Sequence, residues 1–127
     1  MDNLYIIGAG GFGKEVAALV ERINEVKPTW NLKGFLDDNA DKLGTQWFDY
    51  PIIGGVDHLA NTRETIYVVC AIGPAKIRRT IIRKVSKYTN VKFATLIDPS
   101  VIQTRNVSIG EGSIIWIGSI LSVHSRS

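Results

Sequence analysis

The sequence predicts an α/β fold, a parallel sheet with helices on both faces, that runs into the first coils of a left-handed β-helix. Three observations carry this expectation. Short apolar runs alternate with helix-spaced apolar stripes as far as about residue 94. A glycine-rich turn joins the first such run to the first stripe. A period of six then takes over from about residue 97.

The first unit is strand, helix, strand. Leu4-Tyr5-Ile6-Ile7 is an uninterrupted apolar run that ends in glycines, as a parallel strand buried on both faces requires. From Lys14 to about Asn24, Val16, Leu19, Val20 and Ile23 recur at helical spacing, and Pro28 follows where the helix can no longer continue. Leu32-Lys33-Gly34-Phe35-Leu36 is the second strand, closed by Asp37-Asp38-Asn39. Residues 39–55, with more Gly, Asp and Asn and with Tyr50-Pro51, read as an irregular connection leading to a short helix at Val56–Ala60. The run Ile66–Ala71 is the next strand. Pro74 opens a helix whose buried stripe is expected to be Ile77, Ile81, Ile82 and Val85, and Val91–Ala94 is the last strand. Crossovers between parallel strands are expected to be right-handed.

Beyond Ile97-Asp98-Pro99, Ile97, Gln103, Ile109, Ile115 and Leu121 stand six apart. A second series, Val101, Val107, Ser113, Ser119 and Ser125, keeps the same period, with Gly110 and Gly118 near the corners. Such hexads form the sides of a triangular coil, with the aliphatic residue inside and the small one turning the corner. The domain division expected is therefore 1–95 and 96–127. Three hexads make one coil, so five stop before a second coil closes. The sequence as given is expected to be incomplete, with residues from about 107 onward poorly ordered or covered by another copy of the chain.

Composition excludes several classes of function. The chain is 45% hydrophobic and 21% charged, ordinary for a globular domain, and no apolar run approaches the roughly 20 residues of a membrane span. Met1-Asp2-Asn3 lacks the positive start of a signal peptide, so a cytoplasmic protein is expected. The net charge is only +3, and the cluster Lys76, Arg78, Arg79, Arg83, Lys84 and Lys87 carries no interleaved aromatics, which argues against nucleic acid. The cluster reads as a solvated face or as a field that steers an anionic ligand. Cys70 reads as a structural thiol in a buried strand. No residue is assigned to a metal.

Gly8-Ala9-Gly10-Gly11-Phe12-Gly13 matches G-x-G-x-x-G between a predicted strand and a predicted helix. In such a loop Gly8 permits the tight turn, Gly10 lets backbone approach a phosphate and Gly13 allows close helix–sheet packing. Helix-start N–H groups and the helix dipole favour an anion, and Lys14 adds a positive charge. A turn selected only for packing is the competing reading. Asp37 and Asp38 end the second strand, where a dinucleotide fold places an acid on ribose hydroxyls. A solvated loop or a helix cap is the alternative. Ala71-Ile72-Gly73 ends the next strand at the same edge. These features alone do not separate NAD from a nucleotide sugar.

Taken in order, Gly8–Glu15, Gly34-Phe35-Leu36-Asp37-Asp38, Ile53-Gly54-Gly55-Val56-Asp57, Ala71-Ile72-Gly73 and the hexads cover the whole chain. Together they closely resemble the NeuD/PglD family of sialic-acid and nucleotide-sugar acyltransferases. The resemblance implies a Rossmann-like N-terminal domain that binds a sugar substrate, often UDP-linked, and a trimeric β-helix with acetyl-CoA between neighbouring copies. Carried over by position, it implies that Gly10, Gly11, Phe12 and Gly13 form the phosphate loop, that Asp37 and Asp38 contact the nucleoside, and that Ile72 and Gly73 line its pocket. Phe12 stands where many relatives have His, so a polar contact from that side chain is lost. The family's catalytic His, a general base on the acceptor, lies further along the β-helix. His124 comes too early and is followed by Ser125-Arg126, so it reads as a surface residue, as does His58.

The expected function is therefore substrate binding for acetyl transfer from acetyl-CoA to a sugar or nucleotide sugar, with no catalytic residue in this stretch and no turnover by it alone. A non-catalytic nucleotide-sugar-binding module and an NAD(P)-binding oxidoreductase fragment are the alternatives.

Overall fold

The computed structural model describes residues 1–39, 46–47, 49–100 and 114–115, the two short pairs by their backbone alone. Among them the strands are β1 (Asp2–Ile7), β2 (Trp30–Leu36), β3 (Gln46–Trp47), β4 (Tyr50–Gly54), β5 (Ile66–Cys70), β6 (Val91–Phe93), β7 (Leu96–Ile97) and β8 (Ile114–Ile115). The helices are α1 (Gly11–Val26) and α2 (Ala75–Val85), with a 3-10 turn over Val56–Asn61. The main sheet runs β3-β4-β2-β1-β5-β6, with five parallel strands and only β3 antiparallel. This is a Rossmann-like α/β sheet.

Strand β1 lies at its centre and alternates between two cores. Leu4 and Ile6 face one layer with Val16, Ala17, Leu19 and Val20 of α1, together with Phe35, Val69 and Leu96. Tyr5 and Ile7 face the other, with Leu36, Val56, Leu59, Val68 and Val85. A strand clad on both sides has no polar face to spare, and for that reason its sequence is a continuous apolar run. Asn24 shapes the turn from α1 into β2. Its Oδ1 accepts from the Thr29 and Trp30 amides at 3.0 Å each, and its Nδ2 donates to the Trp30 carbonyl at 2.8 Å.

Two expectations are corrected. The irregular connection expected at 39–55 contains β4, which pairs with β2 in parallel and with β3 in antiparallel fashion. Only Ile52 of β4 is fully buried, and Pro51 breaks its run, so the segment carries no periodic strand signal. Gly34 makes room for this strand, because a Cβ there would collide with the Pro51 carbonyl oxygen. Within α2, Val85 is the one fully buried residue, and Ile77 is 52% exposed instead of belonging to a buried stripe. Its turn stands clear of the sheet, whereas Ile81 packs on the second core.

Leu96 is fully buried against the α1 layer. Next to it Asp98, 3% exposed, accepts from Arg22 Nε at 2.8 Å and from the Ser100 amide and hydroxyl at 3.0 and 2.8 Å. Burial alone would push the Asp98 carboxyl up. The Ser100 and Arg22 bonds outweigh it and hold the group below its ordinary value. Strand β7 then pairs in parallel with β8, Leu96 opposite Ile114 and Ile97 opposite Ile115. The partners are eighteen positions apart (115 − 97), the length of three hexads, and Ile97 and Ile115 both belong to the six-residue aliphatic series. The other hexad residues, and with them the expectation for residues from 107 onward, lie outside the described ones apart from Ile114 and Ile115.

Candidate nucleotide-binding edge

The chain leaves β1 toward β2 and β4 on one side and returns to β5 and β6 on the other. The order therefore reverses between β1 and β5, and ligands of open α/β sheets bind beyond the carboxyl ends of the strands at such a point. Here the loops after β1, β2 and β5 meet. The Gly8 amide donates to the Leu36 carbonyl at 2.7 Å, the Ala71 amide to the Ile7 carbonyl at 2.8 Å, and the Asp37 amide to the Gly54 carbonyl at 2.8 Å.

The glycines of the loop divide into two kinds. Gly8 has φ +107°, and a Cβ on it would stand 2.8 Å from the Ala71 carbonyl oxygen. At Gly13 a Cβ would collide with the Gly8 carbonyl oxygen, so the first turn of α1 can seat against the loop only without a side chain. Nothing lies within 4 Å of the Cβ positions of Gly10, Gly11 or Gly73. Gly10 also has an ordinary extended conformation, φ −83° and ψ −165°. The fold itself thus demands Gly8 and Gly13, while at Gly10, Gly11 and Gly73 it leaves bare backbone facing open space.

The two helix starts at this edge favour a negative ligand. Helices α1 and α2 follow the neighbouring strands β1 and β5, and each opens without a side-chain cap and without an acidic residue in its first turn. Lys14 is exposed near the start of α1, and Lys76 follows the first residue of α2. Phe12 is half-buried and packs on the α1-side core, and Ile72 packs on the other.

The two acids are used differently from one another. Asp37 is half-buried, and its Oδ2 accepts the Ala9 amide at 3.0 Å while its Oδ1 accepts the Asn39 amide at 2.9 Å. Asp38 reaches toward the 3-10 turn, where its Oδ1 accepts the Val56 amide at 3.0 Å. Lys84 of α2 approaches Asp38 at 4.0 Å and Asp57 at 3.7 Å. Gly8, Gly10, Gly13, Asp37 and Ile72 are thus brought together, and Asp38 stands toward the 3-10 turn. The sequence placed Lys84 in the basic cluster and Gly55 in a quoted motif, but not the approach of Lys84 to Asp38 and Asp57 nor the close fit of Gly55 to Asp38, where a Cβ would collide with the carboxylate.

Cys70 ends β5 half-buried. Burial pushes its thiol up, partly offset by a backbone hydrogen bond at Ile72 and the Arg78 charge, which suits a structural thiol and not a nucleophile. His58 packs edge-on against Tyr5, ring centroids 5.7 Å apart. Among the described residues no group of three or more His, Cys, Asp or Glu could hold a metal ion.

The PglD N-terminal domain family matches residues 3–85, from β1 to the end of α2. The chain belongs to this family. It is 28% identical over 117 residues to the UDP-N-acetylbacillosamine N-acetyltransferase of Bacillus subtilis (strain 168), covering 91% of this chain and 51% of that protein. The acetyltransferase domain of PglB from Neisseria gonorrhoeae FA1090 superimposes with a TM-score of 0.77 at 30% identity, covering 94% of this chain and 56% of that one. The same domain in complex with acetyl coenzyme A gives a TM-score of 0.75. A mutant perosamine N-acetyltransferase from Caulobacter crescentus, bound to CoA and GDP-perosamine, shares the fold with a TM-score of 0.78 at 22% identity, covering 99% and 57%. This chain spans about half the length of these relatives. Among the described residues no helix is long and apolar enough to cross a membrane.

Proposed function

We propose that this chain is the nucleotide-sugar-binding part of an acetyl-CoA-dependent sugar acetyltransferase of bacterial glycan or sialic acid biosynthesis. Residues 1–95 form the binding domain and 96–127 the start of the β-helix. The observation that carries this reading is the bare backbone at Gly10, Gly11 and Gly73, set between two uncapped helix starts at the sheet's switch point. Glycine there is idle for the fold but useful to a ligand whose phosphates approach main-chain N–H groups.

In this reading Gly8 and Gly13 shape the loop, and Gly10, Gly11, Phe12 and Lys14 meet the diphosphate. Asp37 and Asp38 order the nucleoside side of the site, while Ile72 and Gly73 form its far wall. The names of the relatives support a UDP-linked or similarly activated sugar and transfer to nitrogen. Acetyl-CoA would supply the acetyl group in the whole protein. The residues of this chain that the resemblance assigns to the β-helix beyond Ser100 are described only at Ile114 and Ile115. A trimer and a cytoplasmic location belong to the same proposal.

Calorimetry with UDP, a UDP-amino sugar, CMP-sialic acid and NAD tests the reading. A UDP ligand is expected to bind most tightly. Tighter binding of NAD than of every sugar-linked ligand would overturn it.

A further inference from the structure

The dinucleotide pattern gives the acid at the end of the second strand to ribose hydroxyls. In this chain the same carboxylate turns inward, to the loop. Asp37 Oδ2 accepts the Ala9 amide, and Oδ1 accepts the Asn39 amide two residues on. The backbone of Asp37 is itself fixed, because its amide donates to the Gly54 carbonyl. Ala9 is equally constrained, the residue 6% exposed in the α1-side core and its neighbour Gly8 tied to Leu36. An N–H bonded to a carboxylate makes one of the stronger protein hydrogen bonds. A negative group at Ala9 also repels a phosphate from that side and leaves it the exposed Gly10–Gly11 side at the start of α1.

We propose that Asp37 is a positioning residue, whose carboxylate holds the Ala9 amide and so sets the path of the glycine loop, and that it does not bind the ribose. This rests on the reading of the loop as a phosphate site.

The test compares the 127-residue chain with Asp37→Ala and Asp37→Asn, using UDP, uridine and inorganic pyrophosphate as probes. Positioning predicts that Asp37→Ala weakens UDP and pyrophosphate by the same factor, at least about tenfold. Asn retains an acceptor for Ala9, so Asp37→Asn should stay within about threefold of the parent for both. Loss of UDP and uridine binding with pyrophosphate binding unchanged would overturn the proposal, as would a folded Asp37→Ala that binds both normally. If Asp37→Ala does not fold, the Asn variant decides by the same comparison of UDP with pyrophosphate. If the parent binds neither probe, the functional reading fails on its own account. Hydrogen exchange at the Ala9 amide then tests the inference separately. Protection in the parent and in Asp37→Asn supports it, and a rapidly exchanging Ala9 amide in the parent overturns it.

Discussion

Helices α1 and α2 both open at the carboxyl edge of the sheet, after neighbouring strands, yet they are held in unlike ways. Helix α1 buries Gly13, Val16, Ala17, Leu19 and Val20, and its Arg22 reaches the buried Asp98. Helix α2 buries Val85 alone, and its first turn is exposed through Ile77. One wall of the candidate site is therefore part of the core, while the other rests on the sheet mainly by its far end. The two helices therefore respond differently to substitution. Changes at α1 reach the site through the fold, and changes at the start of α2 meet solvent or ligand first.

Substitutions along the two helices and at Asp98 test that contrast. Leu19→Ala should be the most damaging, costing about 2–5 kcal/mol in denaturant unfolding, because it empties a fully enclosed volume. Gly13→Val places atoms against the Gly8 carbonyl and should cost about 3 kcal/mol or slightly less in the same measurement. A Gly13→Val protein as stable as the parent would show that the loop can yield.

Asp98→Asn should cost about 1 kcal/mol at neutral pH. The Asp98 carboxyl is held below its ordinary value in the folded chain, so its contribution is complete above about pH 4 and falls away as pH drops through the folded value. Stability measured from pH 6 to pH 2 should show the parent and Asp98→Asn converging at the acid end. Ile77→Ala should change stability by less than about 0.5 kcal/mol, the smallest effect of the set. A loss of about 2 kcal/mol there would mean that another surface covers this turn.

The same contrast governs what could be read from the sequence. Strand β1 announced itself as a continuous apolar run and helix α1 as a helix-spaced apolar stripe, with the helix bounds shifted only at the ends. Strand β4 did not, since five residues with one Pro and a single fully buried side chain carry no period. Ile77 stands in register with Ile81, so the sequence put it in the stripe. Only the position of the helix on the sheet shows that its first turn overhangs. The eighteen-residue spacing between the partners in β7 and β8 equals three of the six-residue periods visible in the sequence.

At the site, the identity and location of Asp37 and Asp38 were readable, but not the groups they hold. Those groups, the Ala9 and Val56 amides, come from elements 28 and 18 residues away. Arg22 and Asp98 lie 76 residues apart, beyond any local pattern.

In the proposed function Gly10 stands open because a phosphate must approach it. Gly10→Val tests it most directly, with UDP affinity and unfolding measured on the same preparation. A folded protein is expected, destabilised by about 1 kcal/mol or less at this helix-start position. Its UDP affinity should fall at least tenfold, roughly 1.4 kcal/mol. A folded Gly10→Val protein that binds UDP as tightly as the parent would contradict the claim.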